Sequence, residues 1–262
     1  MIEAIFFDVD GTLLSIKTHK VPESAMKALY LLREKGIKLF IATGRGRQIL
    51  EGVVDFDFDG YVTLNGQYCY DKSEKVIFEN TLEYEDLKEF ARYIKAKKIP
   101  AYYVEENGLF CNEKSDKIDA LAELIQVKVV NVKEIDAENL SRVYQVSPCI
   151  SGEQEDEIAR IMPNSLISRW NDLFCDIYPS SGTKLGGIEE VCKYYGFNIE
   201  NVMAFGDSYN DVEMLEGIKN SIAMGNAPED VKKFANYITD DVDSNGIYNA
   251  LINLGVLSES VE

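Results

Sequence analysis

Residues 4–12 read Ala4-Ile5-Phe6-Phe7-Asp8-Val9-Asp10-Gly11-Thr12, an apolar run that stops on two aspartates separated by a single residue. Ala4 to Phe7 is short, uncharged and β-prone, as expected of a strand buried on both faces of a parallel sheet. Asp8 and Asp10 fall where that strand would emerge, and Gly11 supplies a sharp turn away from it. Open α/β sheets bind their ligands at this carboxyl end. Two carboxylates so close repel each other unless a cation lies between them or one keeps its proton. Taken alone, the stretch also reads as Asp8 capping a loop and Asp10-Gly11 making an ordinary turn.

The same construction occurs twice more. Ile37 to Ala42 is a second apolar run, ending in Thr43-Gly44-Arg45, and Val202 to Phe205 is a third, ending in Gly206-Asp207-Ser208-Tyr209-Asn210-Asp211. Between them, Gly182-Thr183-Lys184 precedes the helical pattern Leu185, Ile188, Val191 and Cys192. Carboxylates, a hydroxyl and a lysine therefore sit at element ends that a parallel sheet would gather on one edge. The expected fold is α/β, a Rossmann-like doubly wound parallel sheet.

Composition removes other classes. The chain has 262 residues, 46% of them hydrophobic, enough for a core domain and a second domain. A formal net charge of −18 argues against nucleic acid or an anionic membrane as partner, since both need basic patches. No apolar stretch is long enough to span a bilayer, and the N-terminus enters a strand directly with no basic n-region, so a cytoplasmic protein is expected. The five cysteines are odd in number, widely spaced and free of C-x-x-C pairs, as buried reduced thiols would be. His19 is the one histidine and lies among Lys17, Thr18 and Lys20 in an expected solvent loop, which leaves no Ser-His-Asp triad unless His19 is its base. Zinc clusters, a cysteine-nucleophile phosphatase loop and a P-loop are missing from the sequence. What remains is carboxylate chemistry with a hard divalent metal held by oxygen.

The pattern also changes along the chain. Residues 1–81 alternate strand and helix; from Leu82 to Pro179 it becomes a smaller α+β mixture with about two main helices, and βα alternation returns from Thr183. The expected organisation is a catalytic core of 1–81 and 180–262 interrupted by an inserted domain, 82–179. Asp8 is the candidate nucleophile, since carboxylates form covalent intermediates with phosphoryl groups. Asp10 could protonate a leaving oxygen and later deprotonate water. Asp207 could complete a Mg²⁺ site, and Asp211, one helical turn on, could orient the metal or its waters. Thr43 offers a hydroxyl to phosphate oxygens and Lys184 a positive charge. A lysine at a helix N-terminus opposes the dipole, so its position wants another reason.

Asp8-Val9-Asp10-Gly11-Thr12, Thr43-Gly44-Arg45, Lys184 and Gly206-Asp207-Ser208-Tyr209-Asn210-Asp211 together resemble the four motifs of the haloacid dehalogenase-like phosphatases. The insert resembles the α/β cap of the Cof-type (class IIB) subgroup, which Asn65-Gly66 also matches. The resemblance implies an aspartyl-phosphate on Asp8, with Mg²⁺ held by the Asp8 and Asp207 carboxylates and the Asp10 backbone carbonyl. It implies phosphate contacts from Thr43, Lys184 and Asn210, with Gly44 in the same turn; Arg45, Asn65 and Gly66 are expected to touch the substrate. The metal set is then Asp8, Asp10, Asp207 and Asp211. One departure is Thr183-Lys184-Leu185-Gly186, where the family commonly has glycine directly after the lysine.

The substrate implied is a small phosphorylated metabolite, sugar phosphates first, for a monomer or weak dimer. A dehalogenase would need neither Asp10 nor Mg²⁺, and a phosphomutase stays open. A phospho-receiver module uses similar residues, but its nucleophile follows a later strand in a domain of roughly 120 residues. In the insert, Arg169-Trp170-Asn171-Asp172 mixes a cation, an aromatic ring and an amide at a turn. Arg169 and Trp170 read equally as sugar contacts or as packed cap residues. The insert is expected to act as a mobile cap.

Overall fold

The computed structural model describes residues 1–50, 52–105, 108–124, 131–137, 142–169 and 171–258. By internal contacts the chain forms two compact units. Met1–Arg45, Gly52–Phe78 and Thr183–Glu262 make the first; Gly46–Glu51 and Glu79–Gly182 make the second. The segment Gly46–Glu51 joins the second unit, which no feature of the sequence signalled.

The first segment of the chain runs β1 (Ala4–Phe7), α1 (Glu23–Glu34), β2 (Lys38–Ala42), α2 (Arg47–Leu50), β3 (Gly60–Thr63), β4 (Tyr68–Asp71) and β5 (Val76–Glu79). The middle runs α3 (Tyr84–Lys97), β6 (Ala101–Glu105), β7 (Gly108–Cys111), α4 (Asp116–Leu124), β8 (Asn131–Val132), β9 (Val143–Pro148), α5 (Gly152–Ile161), β10 (Ser165–Ser168) and β11 (Asp176–Pro179). The last segment runs α6 (Lys184–Tyr195), β12 (Val202–Gly206), α7 (Val212–Gly217), β13 (Asn220–Ala223), α8 (Glu229–Lys232), β14 (Tyr237–Ile238) and α9 (Gly246–Asn253).

The first unit is built on an eight-stranded sheet ordered β14-β13-β12-β1-β2-β3-β4-β5. It is parallel from β14 to β3 and turns antiparallel at β4. All four β1 residues are fully buried, as an apolar run with no alternation requires when both faces are covered. Phe7 stands level with Phe205 of β12 and Ile41 of β2, so the three strands end together. β1 is where the order reverses: β2 and β3 follow on one side, β12 and β13 on the other. Ligands of open α/β sheets bind at such a switch point.

The second unit contains a six-stranded sheet ordered β10-β11-β9-β6-β7-β8. One core packs α3 (Leu87, Phe90, Ala91, Ile94) and α5 (Ile158) with Tyr103, Val146 and Ile177 of the sheet. Among the described residues the unit has four helices, α2 to α5, where about two main ones were expected, and α5 starts at Gly152 although its apolar pattern predicts only a short helix near Asp156 to Ile161. Its first turn is charged, and a capping box between Ser151 and Gln154 starts it. The expected strand Val127 to Val132 lies outside the described residues except for Asn131 and Val132. Helix α9, to which the sequence reading assigned nothing, packs Ala250 and Leu251 into the core.

All five cysteines are buried and unpaired. Burial pushes the Cys149 thiol up to about 11, the behaviour of inert packing thiols. His19 is exposed in the turn after β1, as its polar neighbours suggested. Among the described residues no helix is long and apolar enough to cross a membrane.

Candidate active site

The ends of β1, β2 and β12 and the start of α6 deliver the motif residues to one place within the first unit. The Asp8 N–H donates to the Phe205 carbonyl at 3.0 Å, so the β1–β12 ladder runs up to the carboxylate itself. Lys184 opens α6 after Thr183, whose Oγ1 caps the helix by accepting the Gly186 N–H at 3.1 Å. Two carboxylates account for a lysine at this position: Nζ, fully buried, lies 2.7 Å from Asp8 Oδ1 and 2.6 Å from Asp211 Oδ1. Burial disfavours the ammonium; the Asp211 and Asp8 carboxylates outweigh it and hold its pKa above the ordinary value.

Asp211 spends both oxygens inside the protein. Oδ1 takes Lys184, and Oδ2 accepts the backbone N–H groups of Asp207 and Ser208 at 2.9 and 3.0 Å. Asp211 therefore fixes the fourth-motif turn and the lysine. Gly206 makes this possible: a Cβ there would lie 2.7 Å from Asp211 Cβ.

Asp207 is buried against the Gly11 backbone. A Cβ on Gly11, whose φ is +83°, would meet Asp207 Oδ2 at 2.2 Å, so glycine is required both for the turn and for the approach. Asp207 Oδ1 accepts from Thr12 Oγ1 at 3.1 Å, and Oδ2 accepts from Asn226 Nδ2 at 3.0 Å. The same Asn226 amide donates to the Gly11 carbonyl, and its Oδ1 accepts the Val242 N–H. Asn226 thus ties β13's exit loop to the first motif. Sequence reading missed it, since one asparagine in Gly225-Asn226-Ala227 carries no signal of its own.

Asp8, Asp207 and Asp211 can each offer an oxygen within 4.8 Å of the others. Burial raises the proton affinity of both Asp8 and Asp207; at Asp8 the Lys184 charge opposes it, while Asp211 and Asp207 add to it. Burial and the Asp211 carboxylate push Asp207 to about 7, opposed by the Thr12 hydrogen bond and Lys184. Among the described residues, Asp8 Oδ2 accepts no hydrogen bond while Oδ1 is held by Lys184.

The Asp10 carboxylate is not in this cluster. Arg45 grips it in a bidentate pair, Nε to Oδ2 and Nη2 to Oδ1, both at 2.7 Å. The Asp10 carboxylate thus stands apart from the three clustered aspartates, and Arg45, expected to touch substrate, faces a carboxylate. Thr43 is buried, and its Oγ1 accepts the Arg45 N–H at 3.1 Å, which leaves the hydroxyl proton to donate. Gly44 turns beside two carboxamides: a Cβ there would lie 3.1 Å from Asn65 Oδ1 and 3.3 Å from Asn210 Nδ2. Asn210 Nδ2 donates to Asn65 Oδ1 at 2.9 Å. Gly66 abuts the third motif, where a Cβ would sit 2.0 Å from the Thr183 carbonyl oxygen.

A model of the haloacid dehalogenase-like hydrolases matches residues 5–251. The chain belongs to that family. This hydrolase resembles BT4131, whose structure is described as that of a class IIB sugar phosphatase, with 35% identity and a TM-score of 0.89 over 97% of this chain and 100% of that one. It also resembles BT1666, a phosphatase of the same superfamily from Bacteroides thetaiotaomicron, with 31% identity and a TM-score of 0.88 over 98% and 96% of the two chains. YkrA of Bacillus subtilis (strain 168) is 28% identical over 258 residues, 97% of this chain and 98% of its own. The Cof-type assignment drawn from the motifs is thereby confirmed, and the hydrolase is an enzyme with phosphatases among its relatives.

Of the residues expected in the insert, Trp170 lies outside the described residues. Arg169 is committed elsewhere in the second unit. Its Nη1 donates to the Asn171 and Phe174 carbonyls at 2.9 and 3.0 Å, its Nη2 to the Ile150 carbonyl at 2.9 Å, and its Nε pairs with Glu155. This guanidinium fastens the β10–β11 loop and the β9–α5 connection to α5, as a packed cap residue does.

Proposed function

We propose that this hydrolase is a Mg²⁺-dependent phosphatase of small phosphorylated metabolites, sugar phosphates first, working through an aspartyl-phosphate on Asp8. The observation that carries the reading is Asp8 itself: one oxygen is anchored by a buried lysine, and the other has no hydrogen-bond partner at a buried switch point. Such an oxygen suits in-line attack on phosphorus. Lys184 offsets the charge of Asp8 and Asp211, and Thr43, Gly44 and Asn210 offer donors to phosphate oxygens. Asp10, once protonated and released from the Arg45 pair that holds it as a carboxylate, would give its proton to the leaving alkoxide and then take one from the attacking water.

The donor set fits the metal. Buried carboxylates whose charge is penalised, supplying oxygen atoms only, suit a hard divalent cation. Asp8, Asp207 and the Asp10 carbonyl would hold Mg²⁺, which when bound neutralises charge on the phosphoryl group and on the two aspartates. Thr12 and Asn226 keep Asp207 in place for that duty.

The insertion of the second unit between the second and third motifs supports a role for it in substrate choice. The likeness to the sugar phosphatase BT4131 supports a sugar ester as substrate. The reading places the enzyme in the cytoplasm, where five unpaired cysteines persist reduced. Hexose phosphates should release inorganic phosphate with Mg²⁺ present and not in EDTA, and Asp8→Asn should lower turnover by several orders of magnitude. Activity above about 1% in that variant would overturn the nucleophile assignment.

A further inference from the structure

Leu64 and Asn65 are consecutive residues in the left-handed backbone region, with φ of +52° and +54°, and Gly66 follows at +94°. Asparagine tolerates this conformation; a buried leucine does not without cost. The strained segment touches the ends of three motif segments at once. The Leu64 and Asn65 N–H groups donate to the carbonyls of Arg45 (3.1 Å) and Thr43 (3.0 Å). Gly66 lies against Thr183 and Lys184, and Asn65 Oδ1 accepts from Asn210.

We infer that Asn65 is a positioning residue that sets the phosphate cradle by orienting the Asn210 amide, an inference that rests on the proposed phosphate site. Asn210 sits half-buried on a single helical turn, Tyr209–Asp211, and among the described residues its side chain has one hydrogen-bond partner, Asn65. By accepting one of the two Nδ2 protons, Asn65 fixes the direction of the other beside Gly44. Asn65 is itself buried and held by its own N–H bond to Thr43, so it is a rigid reference for a less supported neighbour. Its contribution passes through Asn210 and not through a contact of its own with the substrate.

The test is a double-mutant cycle on phosphate binding. Asn65→Gly keeps the left-handed backbone and removes the carboxamide, so it is compared with Asn210→Ala and with the pair of changes together. Inorganic phosphate is titrated calorimetrically into each protein with Mg²⁺ present, and unfolding midpoints are recorded. Each single change should weaken phosphate about tenfold, as loss of a hydrogen bond to a charged group does. The double variant should be no weaker than the weaker single, and the Asn65→Gly midpoint should stay near the wild-type value. Losses that multiply, unchanged affinity in Asn65→Gly, or no phosphate binding by the wild type would overturn the inference. Should Asn65→Gly fail to fold, Asn65→Ala is tested, and unfolding of both would show that Asn65 serves the backbone alone. Phosphate binding without turnover of any phosphate ester would sink the phosphatase reading and leave the coupling measurable.

Discussion

Asp207 sits where its own charge is penalised, and that penalty has a measurable sign. Its carboxyl titrates at about 7 in the folded chain against an ordinary 3.8. Between those values the folded, metal-free protein keeps a proton that the unfolded chain has already released. Stability in EDTA should therefore fall as pH rises from about 4 to about 7, and Asp8, shifted in the same direction, adds to the fall. Urea unfolding across that window should show a decline on the order of 2–4 kcal/mol that becomes shallower in Asp207→Asn. A decline of equal depth in the variant would place its origin elsewhere, in the general repulsion of a chain carrying −18. Asp8, Asp10, Lys184 and Asp207 were legible from sequence because each ends an apolar run or opens a helix. The partners that hold them were not. Asn226 meets Gly11 from 215 residues away, and Asp10's pairing with Arg45 depends on how two turns face each other. A carboxylate in a motif also looks the same whether its oxygens serve a metal or, as in Asp211, backbone N–H groups.

Elements were read well where periodicity was strong and poorly where polar residues interrupt it. β1, β2 and β12 are uninterrupted apolar runs, and their common end follows from the parallel register. Helix α5 was read short because Gly152–Glu155 has no apolar residue, although its capping box is a sequence signal. Arg169 was left between two readings for a related reason: an arginine beside Trp170 at a turn has the same composition whether it faces a sugar or three carbonyls. The structure makes it a fastener for α5 and the loops around β10 and β11. Arg169→Ala should therefore cost about 2–4 kcal/mol, since it leaves carbonyls and Glu155 without their partner. Arg169→Lys should restore little, because a lysine lacks the fork that reaches three acceptors. Chemical denaturation measures both, and hydrolysis of p-nitrophenyl phosphate per folded molecule should be unchanged. Full stability in the alanine variant with a selective rise in KM for a sugar phosphate would restore the recognition role.

The first unit is assembled from both ends of the chain. β1 pairs with β12 across almost 200 residues, and the intervening Glu79–Gly182 folds largely among its own strands and helices. No local signal brings Asp8 and Asp207 together; what the sequence carried was the repetition of one construction, an apolar strand ending in a polar turn, and the rule that a parallel sheet aligns such ends. Closing so long a connection is slow to reward, so the site is complete only when the whole core has formed. In the covalent route Asp8 carries the phosphoryl group, and the phosphoenzyme can be trapped. With Asp10→Asn, p-nitrophenyl phosphate still supplies a leaving group that needs no proton, but hydrolysis of the intermediate lacks its base. Acid quench during turnover, borohydride reduction and peptide mass analysis should then find homoserine at position 8. Aspartate at position 8 throughout, in a protein that is turning over its substrate, would contradict the covalent route.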